Sequence, residues 1–136
     1  MRMAWPLCAA RRTSGFGYRV DPFTGRVAFH GGIDLVDEFG TKIRAAHRGQ
    51  VVAAERRGPY GLMLELKDRH GYATRYGQLQ AVFVKPGDTV ERGQVVAALG
   101  SSGRSTGPHL HFEVWYNDRV WDPMIVLPPA TRCRWK

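Results

Sequence analysis

The chain has 136 residues, of which 43% are hydrophobic and 24% are charged. This size and composition suit one globular domain that buries a core, and they exclude a disordered chain. The formal net charge of +8 favours anionic partners. The basic residues are scattered, however, and no nucleic-acid-binding motif organises them, so we expect no nucleic-acid partner. No apolar run approaches the ~18 residues that a membrane span needs, so we expect no membrane span.

Turn-forming residues punctuate the whole chain, which contains 16 glycines and 8 prolines. Residues 1–12 are interpreted as a lead-in segment. Over residues 13–127, turns separate short apolar or alternating stretches, and none keeps a helical period over three turns. Residues 128–136 are interpreted as a C-terminal tail. The predicted fold is mostly β, with little helix: a compact β-sandwich of antiparallel sheet with a groove.

Two cysteines, Cys8 and Cys133, lie close to the two ends of the chain. They form no CxxC pair and have no metal-type neighbours, so a zinc knuckle is not expected. If the termini meet, a disulfide could close nearly the whole chain and contribute about 5 kcal/mol. Two unpaired thiols are the alternative. The opening sequence MRMAWPLCAARR is interrupted by Pro6 and is short for a secretory signal, so no export signal is visible in it.

The segment HLHFEVWY has the alternation of a strand with one apolar face. His109 and His111 are two residues apart, so on a strand they project from the same face, about 6–7 Å from each other. Leu110 and Phe112 face the other way. One histidine on a strand is usually a packing or surface residue. Two on one face indicate a site in which one binds a metal ion and the other stands beside it.

A second motif, HGGID, contains His30 and Asp34. In a straight strand these side chains would be about 13 Å apart. Gly31 and Gly32 allow the backbone to curl and bring them together. Alone, the motif would indicate only a turn histidine. With the HxH motif it offers two imidazoles and one carboxylate, which is the ligand set of a catalytic zinc ion with an open fourth position. Calcium would require more carboxylates.

The segments FHGGIDL, YGQL, KPGDTVERGQVVAALGSSGRSTG and TGPHLHFEV occur in this order. Together they resemble the lysostaphin/LytM-type zinc endopeptidases, which cut peptidoglycan cross-bridges and stem peptides. The resemblance runs from about Thr13 to Pro123. It implies a β domain of the duplicated hybrid motif type, peptidoglycan peptides as partners, and a periplasmic or extracellular, cell-wall-associated location.

In that family, zinc is held by the histidine and aspartate of HxxxD and by the second histidine of HxH. The resemblance therefore implies one Zn²⁺ per chain, bound by His30, Asp34 and His111. The first histidine of HxH assists the attacking water in the family, which implies that His109 is the general base. The predicted function is a zinc-dependent endopeptidase that cleaves peptide bonds in peptidoglycan cross-links or stems.

The chain departs from the family pattern in the segment YGQL, where Gln78 stands in place of the histidine of YxHL. A glutamine can donate a hydrogen bond to an oxyanion but cannot exchange a proton near neutral pH. Losing one proton-transfer group costs about 10²- to 10⁴-fold in rate, so we expect attenuated activity. His47 and His70 are predicted to be surface residues rather than substitutes.

The loop Ser101–Pro108 is rich in small residues and is predicted to form one wall of the substrate groove. Ser105, Thr106 and Gly107 are its candidate substrate-binding residues. The aromatic residues Tyr18, Phe23 and Tyr60 could line the same groove, or each could simply pack.

Two other functions are open at this stage. A non-catalytic cell-wall-binding domain that regulates another wall hydrolase would explain Gln78, although the intact three-ligand set argues against it. The segment KPGDTVERGQVVAALG also looks like a half-repeat of a biotinyl or lipoyl carrier. No lysine lies in an attachment motif of that kind.

Overall fold

The computed structural model describes residues 2–8, 11–102, 107–130 and 133. In this part of the chain the prediction of a mostly β fold with little helix is confirmed. The helical elements described are two single 3-10 turns, η1 (Gly58–Tyr60) and η2 (Pro123–Ile125). The strands are β1 (Arg11–Ser14), β2 (Gly17–Val20), β3 (Val27–His30), β4 (Ile33–Val36), β5 (Lys42–Arg44), β6 (Gly49–Arg56), β7 (Leu62–Lys67), β8 (Tyr72–Gly77), β9 (Leu79–Val82), β10 (Thr89–Val90), β11 (Val95–Leu99), β12 (His109–Tyr116) and β13 (Arg119–Trp121).

The largest sheet is antiparallel and has β12 near its centre. Its strand order is β1-β4-β12-β8-β7-β6-β10, and β13 also pairs with β12. Along β12, Leu110, Phe112 and Val114 point into the core and are fully buried. The intervening residues point to the opposite face of the sheet. That face carries the two histidines of the HxH motif, as their spacing predicted.

Two smaller sheets complete the fold. β5, β11 and β9 form a three-stranded sheet whose apolar residues share one core with the main sheet. β2 and β3 form a two-stranded ribbon, with Gly17 opposite His30. Apolar side chains of this ribbon such as Tyr18 and Val27 are exposed, so the ribbon buries little of its surface against the rest of the protein. No helix in the described part of the chain is long and apolar enough to cross a membrane.

The described residues at both chain ends pack onto this core. Met3 is buried, and its backbone N–H donates to Val126 O over 2.8 Å. The Trp5 indole donates to Pro128 O, also over 2.8 Å. The described residues of the lead-in segment therefore contact the β domain, and Trp5 connects them to the tail at Pro128.

A disulfide joins Cys8 to Cys133, whose Cα atoms lie 5.6 Å apart. It links residues that are 125 positions apart in the sequence. Because nearly the whole chain lies between them, the bridge closes the domain into one large covalent loop.

Candidate metal centre

The pairing of β4 with β12 brings the two sequence motifs together. His111 on β12 lies directly opposite Asp34 on β4. His30 ends β3, and the chain bends at Gly31 and Gly32 before β4 begins. Gly32 lies so close to β12 that a Cβ atom there would be 2.4 Å from the backbone oxygen of Phe112. A side chain at this bend would therefore push the HxxxD motif away from the HxH motif.

Three potential ligands converge at this point: His30, Asp34 and His111. One ligand atom from each lies within 4.8 Å of the others. His30 Nε2 is 3.3 Å from Asp34 Oδ2, and His111 Nδ1 is 2.9 Å from Asp34 Oδ1. Two imidazole nitrogens and one carboxylate oxygen form a donor set that suits zinc, and three protein ligands leave a fourth position open. The residues present therefore fit a catalytic zinc ion.

The remaining nitrogen of each ligand ring is held by a second partner. His30 Nδ1 donates to the backbone oxygen of Gly15 over 2.8 Å. His111 Nε2 donates to Glu113 Oε2 over 2.7 Å. Such partners orient a histidine ligand and fix its tautomer. They leave Nε2 of His30 and Nδ1 of His111 directed at Asp34.

Burial and hydrogen bonding shift the pKa values of this cluster in the metal-free protein. Burial alone would raise the pKa of Asp34, but the hydrogen bonds from His111 and His30 outweigh it and hold that pKa well below its ordinary value. Burial would lower the pKa of His111, yet its hydrogen bonds to Asp34 and Glu113 raise it to about 9. Without a metal, His111 therefore carries a hydrogen on each ring nitrogen at neutral pH, and it donates one to Asp34 and the other to Glu113. An incoming cation must displace the hydrogen on Nδ1.

His109 lies two residues before His111 on the same face of β12. Its Nδ1 donates to the backbone oxygen of Gly107 over 3.0 Å. With Nδ1 carrying the hydrogen, the basic lone pair of a neutral ring is on Nε2. The ring can therefore accept a hydrogen at Nε2.

The ligands and His109 line a groove of about 390 Å³. The ribbon of β2 and β3 contributes one wall, and the η1 turn contributes the other through Pro59 and Tyr60. Of the three aromatic candidates, Tyr60 lines the groove, whereas Tyr18 and Phe23 are exposed and are not among its lining residues. Gly107, half-buried, accepts the hydrogen bond from His109, whereas Ser105 and Thr106 lie outside the described residues.

Gln78 lines the same groove and is only 5% exposed. Its backbone has a positive φ of 68°, and its N–H donates to Tyr60 O over 2.7 Å. Its side-chain Nε2 donates to Pro59 O over 2.8 Å, while Oε1 is buried with no hydrogen-bond partner among the described residues. One amide hydrogen is thus already used by the backbone. Only the other remains for the oxyanion role that the sequence suggested.

The two other histidines differ in their placement. His70 is exposed, as predicted. The prediction of a surface position for His47 is wrong: it is 2% exposed, and its ring lies 2.9 Å from Thr74 Oγ1 and 2.8 Å from Arg48 O. These polar partners allow the ring to be buried beside the apolar core. Burial lowers the pKa of His47, which favours the neutral ring.

Sequence analysis missed Glu113. It is 6% exposed and accepts hydrogen bonds from His111, from the Tyr60 hydroxyl and from the Trp115 indole. The signal was available, because Glu113 follows His111 by two residues on a strand and must share its face. Because side chains alternate between the two faces of a strand, the sequence HLHFE places the Glu113 carboxylate on the same face as both imidazoles.

A sequence model described as peptidase family M23 matches residues 28–123 of this chain. The chain belongs to peptidase family M23. DD-carboxypeptidase/endopeptidase Mpg of Neisseria meningitidis is 38% identical over 125 residues, which cover 92% of this chain and 29% of that protein. Peptidoglycan DD-endopeptidase ShyB of Vibrio cholerae is 43% identical over 122 residues, which cover 88% of this chain and 28% of that protein. The chain thus spans less than a third of the length of these curated relatives.

Solved structures show the same M23 fold. A zinc-containing peptidase from Vibrio cholerae matches with a TM-score of 0.85 and 37% identity over 91% of this chain and 40% of that chain. The catalytic domain of lysostaphin from Staphylococcus simulans matches with a TM-score of 0.76 and 31% identity over 85% of this chain and 90% of that chain. The predicted relationship to lysostaphin-type peptidases is therefore confirmed.

Proposed function

We propose that this M23 chain is the catalytic part of a zinc-dependent endopeptidase that cleaves peptide bonds in peptidoglycan cross-links or stems. The observation that supports it most is the convergence of His30, Asp34 and His111 in a groove that His109 also lines. These residues would hold one Zn²⁺ per chain. When bound, the ion supplies a Lewis acid that polarises a carbonyl group and makes water more acidic.

The protein's own residues would supply the proton transfer. His109 would accept a proton from the attacking water at Nε2, because Gly107 O holds the Nδ1 hydrogen. Gln78 cannot take or release a proton near neutral pH, so turnover would rest on one imidazole. An amide that keeps one donor hydrogen would still contribute to binding the oxyanion.

The substrate and the location of the protein belong to the same proposal. ShyB, by its name, acts on peptidoglycan, and its identity to this chain supports peptidoglycan peptides as substrates here. A disulfide between Cys8 and Cys133 suits an oxidising compartment, such as the periplasm or the extracellular cell wall. The net charge of +8 would attract an anionic wall polymer.

The test combines metal analysis with muropeptide digestion. The purified protein should contain or take up one zinc ion per chain, and mass spectrometry should detect cleaved peptides that disappear with a chelator and return with zinc. His111→Ala should abolish zinc binding and cleavage, whereas His70→Ala at an exposed turn should change neither. A protein that refuses zinc would end the proposal.

One observation favours a second function, a non-catalytic wall-binding domain that regulates another hydrolase. Gln78 occupies the groove with its amide nitrogen bonded to Pro59 O, where it provides no proton transfer. Zinc-loaded protein that binds peptidoglycan but leaves muropeptides intact would support this alternative over the endopeptidase.

A further inference from the structure

Glu113 is a buried carboxylate, and both of its oxygens accept hydrogen bonds from neighbouring side chains. Oε2 accepts the hydrogen of His111 Nε2 over 2.7 Å, and Oε1 accepts the Trp115 indole hydrogen over 2.9 Å. The Tyr60 hydroxyl lies 2.9 Å from Oε1 and 3.1 Å from Oε2. A buried carboxylate without such donors would be costly, so this arrangement fixes the orientation of Glu113.

The direction of the hydrogen bonds around Tyr60 follows from its partners. Arg75 Nη1 donates to the Tyr60 oxygen over 3.1 Å. A phenol has one hydrogen, and a guanidinium can only donate, so the Tyr60 hydrogen must go to Glu113. Arg75 is itself held, because its guanidinium carbon lies 4.6 Å from the Trp115 ring centroid and its Nε is 3.4 Å from Glu65 Oε2.

The η1 turn holds Tyr60 in this position and connects it to the groove. Its Pro59 and Tyr60 backbone oxygens accept the two hydrogen bonds from Gln78. Gly61, which ends the turn, has a positive φ of 65°, a conformation that glycine adopts readily. This short turn therefore forms part of the groove wall. Through the Tyr60 hydroxyl it also orients Glu113, the hydrogen-bond partner of the candidate metal ligand His111.

From this geometry we infer that Glu113, oriented by Tyr60, is a positioning residue for the candidate metal centre. Its carboxylate holds the hydrogen on His111 Nε2, so the Nδ1 lone pair faces the ion. The inference rests on the metal centre of the proposed function and adds two residues to it. Glu113 acts through His111, and Tyr60 acts through Glu113.

Zinc affinity measured by chelator competition tests the inference. Glu113→Gln should weaken binding by about 10- to 100-fold. Tyr60→Phe removes the hydrogen bond to Glu113, together with the one that Arg75 donates to the hydroxyl, and should weaken zinc binding by roughly two- to tenfold. The double variant should bind within about twofold of Glu113→Gln, because Tyr60 acts through Glu113. Tyr72→Phe is the matched control, since Tyr72 packs on Tyr116 with ring centroids 4.5 Å apart, and its affinity should equal that of the wild type.

A spectroscopic measurement separates positioning from general stability. Cobalt(II) replaces zinc and reports ligand geometry by visible absorption, so the bands of Glu113→Gln should shift while those of Tyr72→Phe stay unchanged. If Glu113→Gln does not fold, Tyr60→Phe and Trp115→Phe each remove one donor to the same carboxylate, and both should show weaker zinc binding.

The outcomes distinguish this inference from the proposed function. In one outcome the wild type binds zinc, and Glu113→Gln and Tyr60→Phe keep its zinc affinity and its cobalt spectrum. That outcome would overturn the positioning role and leave the proposed endopeptidase function intact. A wild type that binds no zinc would overturn the proposed metal centre and the positioning role together.

Discussion

Removing the Cys8–Cys133 disulfide should destabilise the protein more than most single substitutions would. The bridge links residues separated by 125 positions. In the loop-closure description, a link of that length lowers the entropy of the unfolded chain enough to stabilise the folded state by about 5 kcal/mol. Small domains have a free energy of unfolding of only ~5–15 kcal/mol, so this loss is a large fraction of the total.

The assay is urea unfolding of the oxidised wild type and of the double variant Cys8→Ser/Cys133→Ser. We expect a lower midpoint and a loss of about 3–5 kcal/mol in the free energy of unfolding. The slope m should increase, because the unlinked chain exposes more surface when it unfolds. A loss below about 1 kcal/mol with an unchanged slope would refute the reasoning, since it would mean that the link does not restrain the unfolded chain.

The same variant separates stability from site geometry. The disulfide acts mainly on the unfolded chain, and the three candidate metal ligands are on strands that are held by hydrogen bonds of their own. The folded double variant should therefore keep its zinc affinity within about twofold of the wild type. A much larger loss of affinity would show that the bridge positions the N-terminal segment, whose Gly15 oxygen holds His30.

Three further perturbations address the site. Gln78→His should raise kcat/KM on muropeptides by about 10²-fold or more, because one ring nitrogen can donate to Pro59 O while the other exchanges protons. Gly32→Ala should lower the free energy of unfolding by about 3 kcal/mol and weaken zinc binding, since its Cβ would lie 2.4 Å from Phe112 O. In the metal-free protein, the pKa of His111 is raised from 6.5 to about 9. The protonated His111 ring therefore stabilises the folded state fully below pH 6.5, and this stabilisation is lost as the pH rises through 9. Thermal unfolding should follow this loss of about 3 kcal/mol, and apparent zinc affinity should rise up to tenfold per pH unit over that range.

Each of these perturbations has a matched control. Gln80→His places an imidazole on an exposed neighbour and should leave kcat/KM unchanged. A Cβ at Gly31 would meet Val120 at an ordinary 3.6 Å, so Gly31→Ala should be tolerated. The pH effect should vanish in His111→Gln. Equal stabilities of the two alanine variants, or a flat pH profile of the metal-free wild type, would contradict the respective argument.

Much of the metal centre could be predicted because its geometry is local. Strand alternation alone places His109 and His111 on one face. The glycine pair predicts the bend that lets His30 and Asp34 approach each other, and the structure has that bend between β3 and β4. The side-by-side pairing of β4 with β12 is a contact between residues 77 positions apart, and the sequence pattern by itself does not specify it.

The environment of individual side chains was harder to predict. His47 looked like a surface residue because a histidine between an alanine pair and an arginine has no visible partner. The partner is Thr74, which is 27 positions away on β8. Likewise, the positive φ of Gln78 is unusual for a residue other than glycine, and no local sequence pattern predicts it.

The η1 turn shows why such details affect function. Glu113 could have been found from strand alternation, but its donor Tyr60 is 53 positions away. The same turn supplies both acceptors for Gln78, the residue that departs from the family pattern. Gln78 and Glu113, the partner of His111, therefore both depend on this one short segment. A histidine at position 78 would gain a proton-transfer function only if Pro59 O still accepts a hydrogen from its ring. The gain expected for Gln78→His should therefore shrink when Gly61, which ends the turn at a positive φ, is replaced by alanine.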